Sequence, residues 1–306
     1  MKLYYNGADI YKDVSVNYCV HEMYAEKQAD TLVIRFNDTK GVWSKWNPAA
    51  GDTLRLKEGA SDTGEMFLHS MKPENGLFTI RAMSMPQSGT TRRSKSWEGV
   101  RFLQLGNEIA KRHGLIFKSY GCKDQVYPYL KQSNEKDFVF FSRLCMQEGC
   151  QMLIYNGELV AYDERYLESL PAAGTLEVEE NGQFAYEDNR AACYGSCEVS
   201  SGGFSGKFKA PNAINAAVLR PDNPIAVSSN AEAARFAKGL LRNANKYGHT
   251  GQFSKALLTG YAAASVLKLK TPKASAWNGT VFVYKVRHDF VGNKSTLYFR
   301  EPLEGY

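Results

Sequence analysis

Nowhere in this 306-residue chain do apolar residues run to the roughly 20 that a membrane-crossing helix requires. The opening Met1-Lys2-Leu3-Tyr4-Tyr5-Asn6-Gly7 lacks the apolar stretch of a secretory leader, so the chain is expected to be made and kept in the cytosol unless it leaves within a particle. Cysteine is sparse, with six residues, and only Cys193 and Cys197 have a spacing that suits zinc. No second close pair and no neighbouring histidine complete four zinc ligands, so no metal site is expected. The lack of a leader and the chain length argue against a disulfide framework. Histidine occurs five times, at His21, His69, His113, His249 and His288, scattered rather than clustered. The net charge of +6 is mild and demands no polyanionic partner.

Motifs for catalysis are missing too. Ser200-Ser201-Gly202-Gly203-Phe204-Ser205-Gly206-Lys207 has neither the Gly-Lys-Ser/Thr ending nor the following helix of a phosphate-binding loop, and reads as a flexible loop. No nucleophile-elbow pattern surrounds Ser200 or Ser201. His113 precedes Gly114 at a helix end, where a cation suits the helix dipole, and His288-Asp289 reads as a turn between strands. No catalytic, cofactor-binding or metal-binding residues are assigned.

What is present is strand pattern and aromatic anchors: 18 Tyr, 16 Phe and 4 Trp, enough to furnish both cores and subunit contacts. Up to Pro86, alternating runs such as Thr31–Phe36, Asp52–Lys57, Met66–Met71 and Leu77–Arg81 predict strands. Asn75-Gly76 predicts a hairpin between the last two. Residues 87–165 predict a small α/β insert. A polar basic stretch from Ser88 to Ser96 precedes a helix carrying Phe102, Leu105, Ile109 and Ala110. A second helix starts near Ser133 or Asn134, and a hairpin turns at Asn156-Gly157. Residues 166–228 read as an irregular β-rich connection. Residues 229–306 read as a helix, opened by Ser229-Asn230-Ala231-Glu232, followed by a second β module.

The first and last β regions look alike. Leu54-Arg55-Leu56-Lys57 precedes Gly64-Glu65-Met66-Phe67, then Leu77–Arg81. Leu267-Lys268-Leu269-Lys270 precedes Gly279-Thr280-Val281-Phe282, then Leu297–Arg300. Short β meanders resemble one another by chance, but the shared order also fits a duplicated module. Three copies of a chain with two similar modules would present six similar faces.

Four stretches in order carry a resemblance to a known family. They are Thr31–Trp46 leading into Gly51-Asp52-Thr53-Leu54; Thr91–Glu98 with the helix ending Ala110–Leu115; Lys131–Phe138 running to Leu144; and Trp277–Thr280 with Val286–Phe290 and Arg300-Glu301-Pro302-Leu303. The chain resembles the phage late control protein D family of tail hub proteins. That family shares its fold with the T-even phage hub and the N-terminal part of the type VI secretion protein VgrG. The stretch from about Gly174 to Pro224 matches least.

The resemblance implies an α+β, mainly β fold with two tube-like antiparallel β-barrel modules and an inserted α/β domain. It implies a homotrimeric pseudo-sixfold ring between a hexameric tail tube protein and a central spike protein, in contact with other baseplate or tape-measure proteins. The expected place is the bacterial cytoplasm during assembly, then the baseplate of a virion or tail-like particle. With no spike or lysozyme-like domain before Tyr306, the spike is expected to be a separate protein.

Seven residues are expected at subunit or partner contacts: Trp43, Trp46, Arg92, Arg93, Lys95, Trp97 and Trp277. Trp43 and Trp46 flank a turn, where core burial competes with an interface role. The basic stretch reads either as a solvated helix face with its flanking loop or as a surface for weak, salt-sensitive DNA contact. Other readings are a particle-associated cell-wall hydrolase, or a module binding nucleic acid or carbohydrate.

Overall fold

The computed structural model describes residues 1–179, 183–272 and 274–306. The first β module holds β1 (Lys2–Tyr5), β2 (Ala8–Asp9), β3 (Ser15–Tyr24), β4 (Thr31–Asn37), the short helix α1 (Val42–Trp46), β5 (Thr53–Glu58), β6 (Ser61–Asp62), β7 (Met66–Glu74) and β8 (Leu77–Met83). The strands run antiparallel in the order β3-β4-β8-β7-β5-β1-β2, with β6 on β5. Alternation decides the buried face: Leu32, Ile34 and Phe36 of β4 point inward together with Leu54, Leu56, Met66, Leu68 and Ile80. Leu3 on β1 and Cys19 on β3 lie near opposite ends of this order yet share the same core, so the sheet curls around it. Helix α1 seals that core with Trp43. It begins where Asp38 Oδ1 accepts the backbone N–H groups of Val42 and Trp43.

The insert follows as β9 (Arg92–Arg101), α2 (Phe102–Arg112), β10 (Ile116–Tyr120), β11 (Val126–Lys136), α3 (Asp137–Gln147), β12 (Cys150–Tyr155), β13 (Glu158–Asp163) and α4 (Glu164–Glu168). The Asn156-Gly157 hairpin between β12 and β13 is present, with φ of 46° and 75°. Two expectations change. The basic stretch is no loop: Arg92 to Arg101 form β9, paired along its length with β11. The second helix starts at Asp137 rather than near Ser133, because the ladder to β9 holds the chain extended through Lys136, with a bulge between Gln132 and Glu135.

Next come β14 (Thr175–Glu177) and β15 (Gln183–Asp188). They are followed by a hairpin of β16 (Ser196–Ser201) and β17 (Phe204–Lys209), a short β18 (Val218–Leu219) and helix α5 (Asn230–Asn245). The glycine-rich segment expected as a flexible loop is thus the β16–β17 hairpin, turning at Gly202-Gly203. Helix α5 opens as expected: Ser229 Oγ accepts the Glu232 N–H, and the Glu232 carboxylate accepts the Ser228 N–H. It does not join the second β module, though. Ala233, Phe236, Ala237 and Leu241 enter the core of the insert with Phe141, Cys197 and Val199. Gly239 lets α5 reach α3, since a Cβ there would lie 2.3 Å from the Gln147 carbonyl oxygen.

The second β module completes the chain with β19 (His249–Ala256), β20 (Ser265–Lys270), β21 (Gly279–Asp289) and β22 (Lys294–Arg300). It also takes β14, on β20, and β15, on β19, from the segment expected to be irregular. His288, expected in a turn, lies buried within β21.

The two modules repeat one another. The run β5-β7-β8-β4-β3 has the same order as β20-β21-β22-β19-β15. Phe67 faces Thr53 as Phe282 faces Val266. A bulge interrupts β7–β8 between Leu68 and Ser70, and another interrupts β21–β22 between Val283 and Lys285. The third strands align differently from the sequence reading: with Ser70 matched to Lys285, Arg81 corresponds to Tyr298, and Arg300 to Met83. The bulge sets this register, whereas matching the strands by their terminal arginines does not.

Six buried charges bind the parts together. Glu26 follows β3; Glu164 and Glu168 lie on α4; Arg242 and Lys246 lie on and just after α5; and Arg300 ends β22. Glu164 Oε1 lies 3.0 Å from both Lys246 Nζ and Arg300 Nη2, and Glu164 Oε2 lies 3.3 Å from Arg242 Nε. Glu168 pairs with Arg242 Nη2 at 2.6 Å and with Arg300 Nη1 at 2.7 Å. Glu26 takes the Lys246 ammonium and the Tyr247 hydroxyl. Three carboxylates balance three cations. Burial alone would raise the Glu164 pKa, but Lys246, Arg300 and Arg242 outweigh it and hold it at about 2.

Glu164→Gln should leave three buried cations on two carboxylates and cost about 3–5 kcal/mol in urea unfolding. Because the folded-state pKa of Glu164 is below its ordinary 4.5, its contribution is complete above that pH and falls away toward pH 2. A wild-type acid titration should lose stability in that window, and the variant should lose correspondingly less.

Candidate assembly interface

Within the chain, the modules meet strand to strand. The C-terminal half of β21 pairs antiparallel with β3: Lys285 faces Tyr24, Val286 faces Met23, Arg287 faces Glu22, His288 faces His21 and Asp289 faces Val20. The N-terminal half of the same edge of β21 serves β20, so β21 belongs to both modules. The bonds from Phe290 N–H to Cys19 O and from Ala25 N–H to Tyr284 O fix the ladder phase. That phase puts Arg287 and Glu22 between hydrogen-bonded positions, where opposed side chains come closest. Glu22 accordingly takes Lys285 at 2.9 Å and Arg287 at 3.8 Å. His21 and His288 face each other with no solvent exposure, and burial pushes both below the ordinary histidine range, His21 to about 3.

The equivalent edges elsewhere are open among the described residues. On β7 only Met66 and Phe67 pair with β5, which leaves the edge from Ser70 to Glu74 free. Strand β15 pairs only with β19. Lys72, Pro73 and Glu74 on one edge, and Glu187 and Asp188 on the other, are exposed.

The seven residues expected at contacts fare unequally. Trp43 is core: 1% exposed, stacked on Phe78 at 5.6 Å and packed on Phe36 at 4.5 Å. Trp46 is 38% exposed, its ring edge-on to Trp43 at 5.1 Å, and remains available. Trp97 is buried against Phe140 in the insert and donates its indole N–H to Glu108. Trp277 is half-buried, stacked between Tyr186 and His249 beside the β15 edge.

The basic stretch is largely spent within the chain. Arg93 faces Asp137 at 3.6 Å, Lys95 takes Glu108 at 2.6 Å, and Arg92 donates to the Asn134 carbonyl. Arg93 and Lys95 nevertheless keep 43% of their side-chain surface exposed.

One cluster escaped the sequence reading. Ser88 Oγ lies 2.8 Å from His113 Nδ1, and His113 Nε2 lies 2.9 Å from the buried Asp137. The three residue types are those of a hydrolytic triad, but Asp137 is also held by Arg112, Arg93 and Gln132. An imidazolium would form beside two guanidinium groups, and burial holds the His113 pKa below its usual value. The contacts tie the end of α2 to the start of α3 without supplying a strong base. No group of three metal-ligating side chains occurs among the described residues, and no helix there is long and apolar enough to cross a membrane.

No protein-family model matches the chain. A curated "Probable baseplate hub protein" of Escherichia phage 186 is 30% identical over 148 residues, covering 44% of this chain and 36% of that protein. The chain therefore spans little more than a third of this relative. A tail protein from Neisseria meningitidis MC58 superposes with a TM-score of 0.76 over 98% of this chain and 95% of its own, at 11% identity. An E. coli type VI secretion component, described as structurally similar to T4 phage tail proteins, superposes with a TM-score of 0.62 over 100% of this chain and 78% of its own, at 13% identity. The hub resemblance seen in the sequence is matched by both kinds of relative. The fold, mainly β with several antiparallel sheets, is that of phage tail proteins.

Trp43→Ala should cost about 3–5 kcal/mol in urea unfolding. Trp46→Ala should cost less than about 1 kcal/mol, as a surface residue. Equal losses would mean that Trp46 also belongs to the core.

Proposed function

We propose that this protein is a baseplate hub of a contractile injection machine, a homotrimer whose six β modules form a pseudo-sixfold ring joining a hexameric tail tube to a trimeric spike. The duplicated module with a strand-to-strand joint is the observation that carries this reading. Within the chain, the β21 edge of the second module meets β3 of the first. The same relation between copies would bring the free β7 edge of one chain onto β15 of the next. Head-to-tail repetition of a single joint gives a ring where its rotation closes, and two modules per chain let three chains present six faces.

Matching β7 to β21 and β15 to β3 gives the register between copies. Met71 then faces Asp188, Lys72 faces Glu187 and Pro73 faces Tyr186. Lys72 and Glu187 occupy the positions of Arg287 and Glu22, so the opposite charges of the internal joint recur between chains. Pro73 stands where His288 does, at a hydrogen-bonded position of the internal ladder, so the joint between copies would have one N–H donor fewer than the joint within the chain. A ring wall of this kind works mechanically and needs no cofactor, and the tail-protein and baseplate relatives support a structural role. Its place is the baseplate of a phage or tail-like particle, with the tube and spike proteins as neighbours and DNA at most a passing contact.

Two measurements test the reading. Sedimentation of the purified chain should give a trimer, or a trimer should form on addition of its spike. A monomer under both conditions would count against the ring. Lys72→Glu should weaken assembly at least about tenfold, and adding Glu187→Lys should restore most of it. A trimer indifferent to both substitutions would reject this register while leaving the hub reading in place.

A further inference from the structure

A cavity of about 390 Å³ opens where the first β module, the second β module and the insert meet, separate from the sheet edges described above. This is within the size range of small-ligand sites. Its lining is one-sided in charge. Asp30 comes from the β3–β4 connection, Asp62 from β6 and Glu158 from β13, and no lysine, arginine or histidine lines it, although the chain as a whole carries +6. Tyr24, Tyr120, Tyr155 and Tyr261 supply aromatic rings.

Asp30 is the unusual member. It is 7% exposed, and only its Oδ1 is engaged, accepting the Tyr24 N–H at 2.8 Å. Its Oδ2 has no hydrogen-bond partner among the described residues, and the side chain lines the cavity. Burial disfavours the ionised form of the Asp30 carboxyl group, and a cation in the cavity would relieve that cost. Asp62 is already occupied, bound by Arg55 at 2.6 Å and Lys57 at 3.2 Å, whereas Asp30 and the half-buried Glu158 face the space without such partners. Tyrosine rings around an acidic floor suit an ammonium group, which gains from the ring faces as well as from the carboxylate.

We propose that this cavity binds an alkylammonium group, from a free polyamine or from a lysine side chain of a neighbouring protein, with Asp30 as its counter-ion. The site does not depend on the ring reading. Burial raises Asp30 to about 7, so the counter-ion forms as pH rises through neutrality. Asp62 is held at about 2, burial raises Tyr24 and Tyr155 above the ordinary tyrosine value, and the buried His21 and His288 are shifted below the ordinary histidine range. A bound cation would in turn favour ionised Asp30 and release a proton.

Calorimetric titration with putrescine and with the tripeptide Gly-Lys-Gly tests this on the intact chain. Binding of either probe at one site per chain is expected at pH 8, about tenfold weaker at pH 6 because Asp30 is then mostly protonated. Putrescine alone would identify a polyamine site, and the tripeptide a site for a partner's lysine. Asp30→Asn, which keeps the acceptor for the Tyr24 N–H, should abolish binding. If that variant does not fold, Glu158→Gln should weaken binding at least about threefold. No binding of either probe at pH 8, or unchanged affinity in the folded variant, would overturn the proposal.

Discussion

Six charges removed from water at one point decide how this chain is put together. Glu26, Glu164, Glu168, Arg242, Lys246 and Arg300 come from the first β module, the α/β insert and its helix α5, and the last strand of the second module. None of them could be buried alone, because an unpaired ion in the interior costs several kcal/mol. Together, three carboxylates and three cations neutralise one another and share hydrogen bonds. An apolar contact among these parts would tolerate sliding. A lattice of ion pairs does not, since a shift of a few ångströms would strand a charge. The network therefore ties the parts together at one point, beside the β21–β3 ladder and the apolar contact of Ala25 and Tyr162 with Val266 and Phe282.

That placement makes the strand joint possible. Strand β21 is long enough to pair with β20 over its first half and with β3 over its second, and Arg300, on the neighbouring β22, is anchored in the charge network. The two curled sheets become one continuous sheet with open edges at β7 and β15. Open edges are a liability in a solitary protein. The bulge recurs in both modules, and Lys72 and Glu187 occupy in their strands the places that Arg287 and Glu22 hold at the internal joint.

The positive charge of the chain has a similarly local explanation. Much of it is consumed by pairing within the insert, at Asp137, Glu108 and Asp124, and in the buried network. The composition alone suggested a basic surface around Arg92, Arg93 and Lys95. Folding sets Arg93 and Lys95 opposite carboxylates and Arg92 on a backbone carbonyl, while an acidic recess forms where three parts of the chain meet.

The sequence by itself determined the contents of the parts. Alternation marked the strands and their buried faces, as in Leu32, Ile34 and Phe36. Helical spacing placed α2, Asn156-Gly157 placed a hairpin, and the recurrence of a Leu-x-Leu-Lys strand before a Gly-x-x-Phe strand exposed the duplication. These signals are local, acting over a few residues along the chain. What only the tertiary structure decided involves partners distant in sequence. Helix α5 packs on the insert and not on the module it precedes. Trp43 fills a core while Trp46, three residues away, stays outside. Ser88, His113 and Asp137 converge, and Lys246 meets Glu26 across 220 positions. A strand pattern states which side is apolar but not which strand lies next to it, and a charged residue carries no mark of its eventual partner. Those choices were made when the separate apolar faces and the buried charges had to be satisfied at once.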